Sequence, residues 1–140
     1  MFRKILLAYD GSEGANRALE VGIGLAKIHG AELWALAVQE NLPRFSGTID
    51  EVQEEKQFAN EQYGKLLEAA KVKAKEAGIE LKTLMQPGHP AQTIITAAKE
   101  GKFDLVLVGH TGLSGVWAAF LGTTAEKVSR HAPCSVLIVR

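Results

Sequence analysis

A single cysteine, Cys134, is all the thiol chemistry the chain has. One thiol cannot form an intramolecular disulfide and cannot build a cysteine-based zinc site. It sits in the apolar run CSVLIV, where a small buried hydrophobe is a simpler role than a reactive thiol. An excess of one charge is missing too: Lys plus Arg and Asp plus Glu number 16 each, so the net charge is zero. That balance gives no reason to expect nucleic acid or an anionic membrane as partner. It does tolerate self-association. Long apolar runs are also lacking. In MFRKILLAYDGS the apolar run is too short for a signal peptide or a membrane span, and Asp10 follows at once. The expectation is a soluble, cytoplasmic protein of one domain, residues 1–140.

What the chain does have is two alternating apolar patterns. Short runs occur at 4–8, 33–38, 79–85, 103–108 and 134–139. Four of them are almost continuously apolar, as strands buried on both faces are. The run at 79–85 alternates, as an edge strand does. Helical stripes fill the intervals 12–29, 50–77, 90–100 and 123–132, stopped by Gly30, Gly78, Gly101 and Pro133. Strand and helix in strict alternation predict an α/β fold: a doubly wound, five-stranded parallel sheet with helices on both faces. Right-handed crossovers and a reversal after the first strand give the order 3-2-1-4-5. The segment 39–50 reads as a loop and candidate lid.

A sheet of this kind binds ligands beyond the carboxyl ends of its strands, where the winding reverses. The strand exits there are Tyr9-Asp10-Gly11-Ser12 and Gly109-His110-Thr111-Gly112. Asp10 has two readings. It caps the following helix, with Ser12 as rival cap, or it accepts hydrogen bonds from a ligand. Thr123 with Glu126 fits a capping box and predicts Thr123 as the N-cap of the last helix. The same helix start, preceded by Gly122 and carrying the Thr123 and Thr124 hydroxyls, suits phosphate. Other nucleotide signatures are absent: neither G-x4-G-K-S/T nor a G-x-G-x-x-G after the first strand occurs.

The spacing G-x2-G-x9-G-S/T is met by Gly109, Gly112, Gly122 and Thr123. With KILLAYDGS near the start, Gly88-His89-Pro90-Ala91 in the middle and RHAPCSVLIV at the end, the chain resembles the universal stress protein family over essentially its whole length. The resemblance implies nucleotide held between the first and fourth strands, and it places the chain with the members that keep the glycine pattern and bind ATP. Carried over by position, Asp10 and the backbone around Ala8 and Val38 hold the adenosine end. Gly109 and Gly112, with His110 beside them, frame ribose and phosphates, and Gly122, Thr123 and Thr124 hold the phosphates. ATP, ADP or AMP is the implied ligand, with Mg²⁺ or Mn²⁺ riding on the phosphates and no protein cage for the metal. One departure stands out. Between the glycines, LSGVWAAFL carries no basic residue, which predicts weaker hold on a triphosphate.

Turnover has no visible machinery: no residue set for an activated water and a γ-phosphate clamp can be assembled, and no catalytic residue is named. His110 reads as an exposed loop residue ahead of a general base. The first expectation is therefore a nucleotide-binding stress sensor or regulator, any hydrolysis or self-phosphorylation being slow, with Ser114, Thr123 and Thr124 as candidate acceptors. The alternative is an interaction or chaperone-like protein with a vestigial site and an unspecified protein partner. Strand 134–139 falls on a sheet edge in the order 3-2-1-4-5, and an apolar edge calls for pairing across a two-fold axis. The family resemblance likewise implies a homodimer through it.

Overall fold

The computed structural model describes residues 1–40, 49–110 and 121–140. The side chains of Ile49, Asp50 and Val52 are outside the description, as are 41–48 of the expected lid and Thr111, Gly112, Ser114, Trp117 and Phe120 of the glycine stretch. The elements run β1 (Lys4–Ala8), α1 (Glu13–His29), β2 (Glu32–Gln39), α2 (Ile49–Glu76), β3 (Leu81–Pro87), α3 (Pro90–Glu100), β4 (Leu105–Gly109), α4 (Thr123–His131) and β5 (Ser135–Val139). The sheet is all parallel with order β3-β2-β1-β4-β5.

The continuous apolar runs are explained by burial on both faces. Alternate residues of a strand point to opposite sides. Ile5 and Leu7 of β1, with Leu105 and Leu107 of β4, pack under α1 and α2 among Ala18, Leu19, Ala70 and Ala74. Leu6, Val106 and Val108 face the other way, against Ile94, Ala98 and Val128 of α3 and α4. Leu6, Leu7, Leu36 and Leu107 are each 0% exposed. Burying a side chain of this size contributes about 1.5–3 kcal/mol. Small residues on the helices let them lie close to the strands.

Two boundaries moved for identifiable reasons, and a third stayed in place. β3 starts at Leu81, not 79, because the Ile79 N–H donates to Ala74 O at 2.9 Å and closes the end of α2. α3 ends at Glu100 with Gly101 as its C-cap, as expected, and the left-handed residue is the next one, Lys102 (φ 53). The Phe103 N–H, donated to Ala98 O at 3.0 Å, holds the chain in that turn. The N-cap of α4 is Gly122, not Thr123. Its C=O accepts the Glu126 N–H at 2.9 Å, and its N–H is held by His110 O at 2.8 Å. That second bond ties residue 122 to the end of β4 and starts the helix one residue earlier than the Thr–Glu spacing suggests.

Candidate functional site

β1 and β4 are neighbours, but their following helices leave toward opposite faces: α1 packs with the Ile5 and Leu7 side, α4 with the Leu6 side. The divergence opens a crevice at the carboxyl ends of the two strands. It is a cleft of about 400 Å³, within the range of small-molecule sites. Ala8, Asp10, Val38, Gly109 and Thr124, all named from the sequence, line it together.

The first loop is built around Asp10. Asp10 does not cap α1. Ser12 does, its Oγ accepting the Ala15 N–H at 3.1 Å, while Asp10 Oδ1 accepts the Ser12 N–H at 2.9 Å. The reason is Gly11, whose φ of +79° turns the chain so that Ser12, not Asp10, meets the first helical turn. Asp10 is left half-buried at the cleft with its second carboxylate oxygen unused by these bonds. Before it, Tyr9 is buried and donates its hydroxyl to Asn16 Oδ1 at 2.6 Å. Burial pushes its phenol above the ordinary value.

Val38 acts through its backbone. The last rung between β1 and β2 is the Tyr9 N–H donated to Leu36 O at 2.9 Å. On the other edge, the Gly88 N–H goes to Gln39 O at 2.9 Å. Alternation along a parallel ladder therefore aims the Val38 N–H and C=O at the β1 side. There β1 has already ended at Ala8 and no rung follows. A donor and an acceptor side by side at a cleft wall suit the edge of a heterocyclic base.

Gly109 is at the cleft for a packing reason. A Cβ there would lie 2.9 Å from Gly14 C and 3.0 Å from Gly14 O, so the end of β4 touches the first turn of α1. His110 is not an exposed loop residue but 8% exposed. Its N–H donates to Val139 O and its C=O accepts from the Gly122 N–H, both at 2.8 Å, which pulls it inward between β5 and α4. Thr123 does not line the cleft. It lines an adjoining depression with Thr124. Gly112 lies outside the described residues.

Sequence reasoning missed Tyr63 and Glu40. Both line the cleft, Tyr63 from α2 and Glu40 from just after β2. Burial, then the negative charges of Glu40 and Asp10, pushes the Tyr63 phenol above its ordinary value. At neutral pH it is a neutral donor. Tyr63 fitted the apolar stripe of α2, and nothing in its spacing separated a cleft residue from a core one. Leu36, Ile94 and Val108 supply an apolar floor. The arrangement is a largely apolar slot whose lining includes an open backbone edge and a carboxylate.

A doubly wound sheet with such a slot at its switch point defines an α/β domain with a small-molecule-sized cleft at the carboxyl ends of its strands. The profile of the universal stress protein family matches residues 1–140. The chain is 38% identical over 151 residues to universal stress protein YxiE of Bacillus subtilis (strain 168), covering 100% of each. Among solved structures it is similar to UspA from Lactobacillus plantarum, with TM-score 0.88, 27% identity, and 99% and 98% of the two chains covered. It is also similar to a universal stress protein in complex with cAMP, with TM-score 0.78, 25% identity, and 99% and 97% covered. The chain belongs to the universal stress protein family. Among the described residues no helix is long and apolar enough to cross a membrane.

Proposed function

We propose that this protein binds an adenine nucleotide in the β1–β4 cleft and acts as a stress-response regulator in the cytoplasm. The observation that carries the reading is the slot itself. The unpaired Val38 edge and Asp10 line one cleft with an apolar floor, of a volume that suits a nucleoside. The solved relative in complex with cAMP supports the adenine assignment. In this reading the Val38 backbone meets the base and Asp10 takes a ribose hydroxyl. Gly122, Thr123 and Thr124 receive the phosphates at the start of α4, where unsatisfied N–H groups favour negative charge. ATP, ADP or AMP is the expected ligand, with Mg²⁺ or Mn²⁺ carried on its phosphates. Any hydrolysis is slow.

The test is direct. Protein purified without added nucleotide is denatured and the supernatant is assayed for adenine nucleotide. Emptied protein is then titrated calorimetrically with ATP, ADP, AMP and cAMP. Binding is expected, and its absence at millimolar concentration sinks the reading. Gly122→Val is expected to abolish binding with the circular dichroism unchanged. Normal binding by that variant refutes the phosphate assignment.

The working unit in this proposal is a homodimer joined through β5. That strand forms one edge of the sheet, and Leu137 is 37% exposed on it. An apolar edge strand is an aggregation hazard unless paired or covered. Leu137→Glu is expected to shift the sedimentation of the protein to that of a monomer. An unaffected dimer places the interface elsewhere.

A further inference from the structure

Beside the cleft lies a second, larger depression, about 740 Å³ against about 400 Å³. The two share Glu40, Pro90 and Thr124 along a common rim. The depression runs between α3 and α4. Pro90, Ala91 and Ile95 line it with apolar surface. His89, the N-cap of α3, and Gln92 of α3 border it on one side, and Lys127 and His131 of α4 on the other. Lys127 and His131 are four residues apart and so stand on one side of their helix. Glu40, on the rim, is the only carboxylate among the described lining residues. Lys127 has no ion-pair partner among the described residues, whereas Arg130 beside it is paired with Glu126 at 3.1 Å.

Two features decide what this depression fits. A phosphate chain has no use for an apolar floor, and a purely apolar group has no use for the ammonium and imidazoles around it. A ligand with both parts uses both. Glu40 adds a discrimination. At the junction it repels the terminal phosphate of a mononucleotide, which carries more than one negative charge at neutral pH. Phosphates esterified at both ends carry one each.

Resting on the adenine-nucleotide reading, we propose that the protein binds nucleotides extended through their phosphates by a second ring-bearing group, the dinucleoside polyphosphates in chemical class. One nucleoside occupies the cleft. The phosphate bridge crosses the rim at Thr124. The second base lies on Pro90, Ala91 and Ile95, with Lys127 against the bridge and the imidazoles of His89 and His131 at its side.

The full chain is titrated calorimetrically with AMP, ATP and diadenosine tetraphosphate. Two linked contacts act at high effective concentration, so the diadenosine compound is expected to bind about tenfold or more tighter than ATP. The double variant Lys127→Ala/His131→Ala changes two exposed side chains. It is expected to reduce that advantage below about threefold while AMP affinity is unchanged. AMP binding with no preference for the diadenosine compound over ATP overturns the extended ligand and leaves the nucleotide reading standing. A preference that survives the double variant overturns the depression as its seat. Failure to bind any of the three overturns both.

Discussion

The two ends of the sheet are built on different terms. At the amino ends, polar groups are consumed by the protein itself. Asp104 accepts the Arg3 N–H at 2.8 Å and the Lys4 N–H at 3.1 Å. The Lys4 ammonium donates to Gly101 O at 2.6 Å and lies 4.6 Å from the Phe103 ring centre. Trp34 meets Phe103 edge to face, with Lys82 5.3 Å from its ring centre, and Lys82 is paired with Glu32. The one buried side-chain atom left over among the described residues is Trp34 Nε1. The Glu32 carboxylate, which Lys82 and in part the Trp34 side chain hold below its ordinary value, lies close enough to meet part of that donor's need. At the carboxyl ends the pattern reverses. Val38, Asp10 and Tyr63 all line a cleft, and no hydrogen bond among the described residues pairs them with each other. One end is closed for stability, and the other keeps its hydrogen-bonding capacity for something else.

The largest expected effect would break this comparison at Gly109, which sits at the open end but serves packing. Its missing Cβ leaves room for the Gly14 backbone, which cannot swing away as a side chain can. Gly109→Val is expected to lower unfolding free energy by about 3 kcal/mol in urea titration, from overpacking against backbone. If the variant keeps wild-type stability and loses only nucleotide, Gly109 belongs to the ligand and the packing account fails.

Next in size is Asp104 at the closed end. Asp104→Ala removes the carboxylate that accepts two backbone N–H groups and is expected to cost about 1–2 kcal/mol. Nucleotide affinity should stay at the wild-type value, because no described contact of Asp104 reaches the cleft. A parallel loss of affinity in calorimetry would show the two ends to be coupled.

Asp10→Asn should do the reverse. The amide oxygen still accepts the Ser12 N–H, so thermal stability is expected to stay within about 0.5 kcal/mol of wild type. Loss of the charged acceptor should weaken nucleotide about tenfold. A stability loss with unchanged affinity would return Asp10 to a purely structural role.

How much of this was legible depended on whether a feature is written locally. The alternation of strands and helices came from runs such as that at 103–108 and from helical stripes, because burial on two faces or one leaves a period in the chain, and the sheet order followed from crossover handedness and the reversal after the first strand. The cap positions did not come through. Asp10 and Ser12 are both good caps, and the choice between them is made by a single dihedral at Gly11. Thr123 lost to Gly122 through a bond to His110, twelve positions away in sequence. His110 itself read as exposed because the chain neighbours of a glycine-rich loop usually are. Its burial follows from two backbone bonds to β5 and α4. Tyr63, Glu40 and the depression between α3 and α4 depend on where helices come to rest over the sheet, and no spacing encodes that.

The smallest expected effect lies at the closed end, in the turn that leads α3 into β4. Lys102 holds φ 53 there, a conformation that a side chain disfavours. Glycine at this position removes that strain but gives the unfolded chain more freedom, and the two effects oppose each other. The strain is the larger, so Lys102→Gly is expected to raise stability by about 0.5 kcal/mol, with nucleotide affinity untouched. A gain seen in thermal unfolding would mean that the closed end is not at its stability optimum, although its polar groups are paired. A loss would mean that the Lys102 side chain contributes more than its backbone costs, and the closed end would then be better tuned than its dihedral angle suggests.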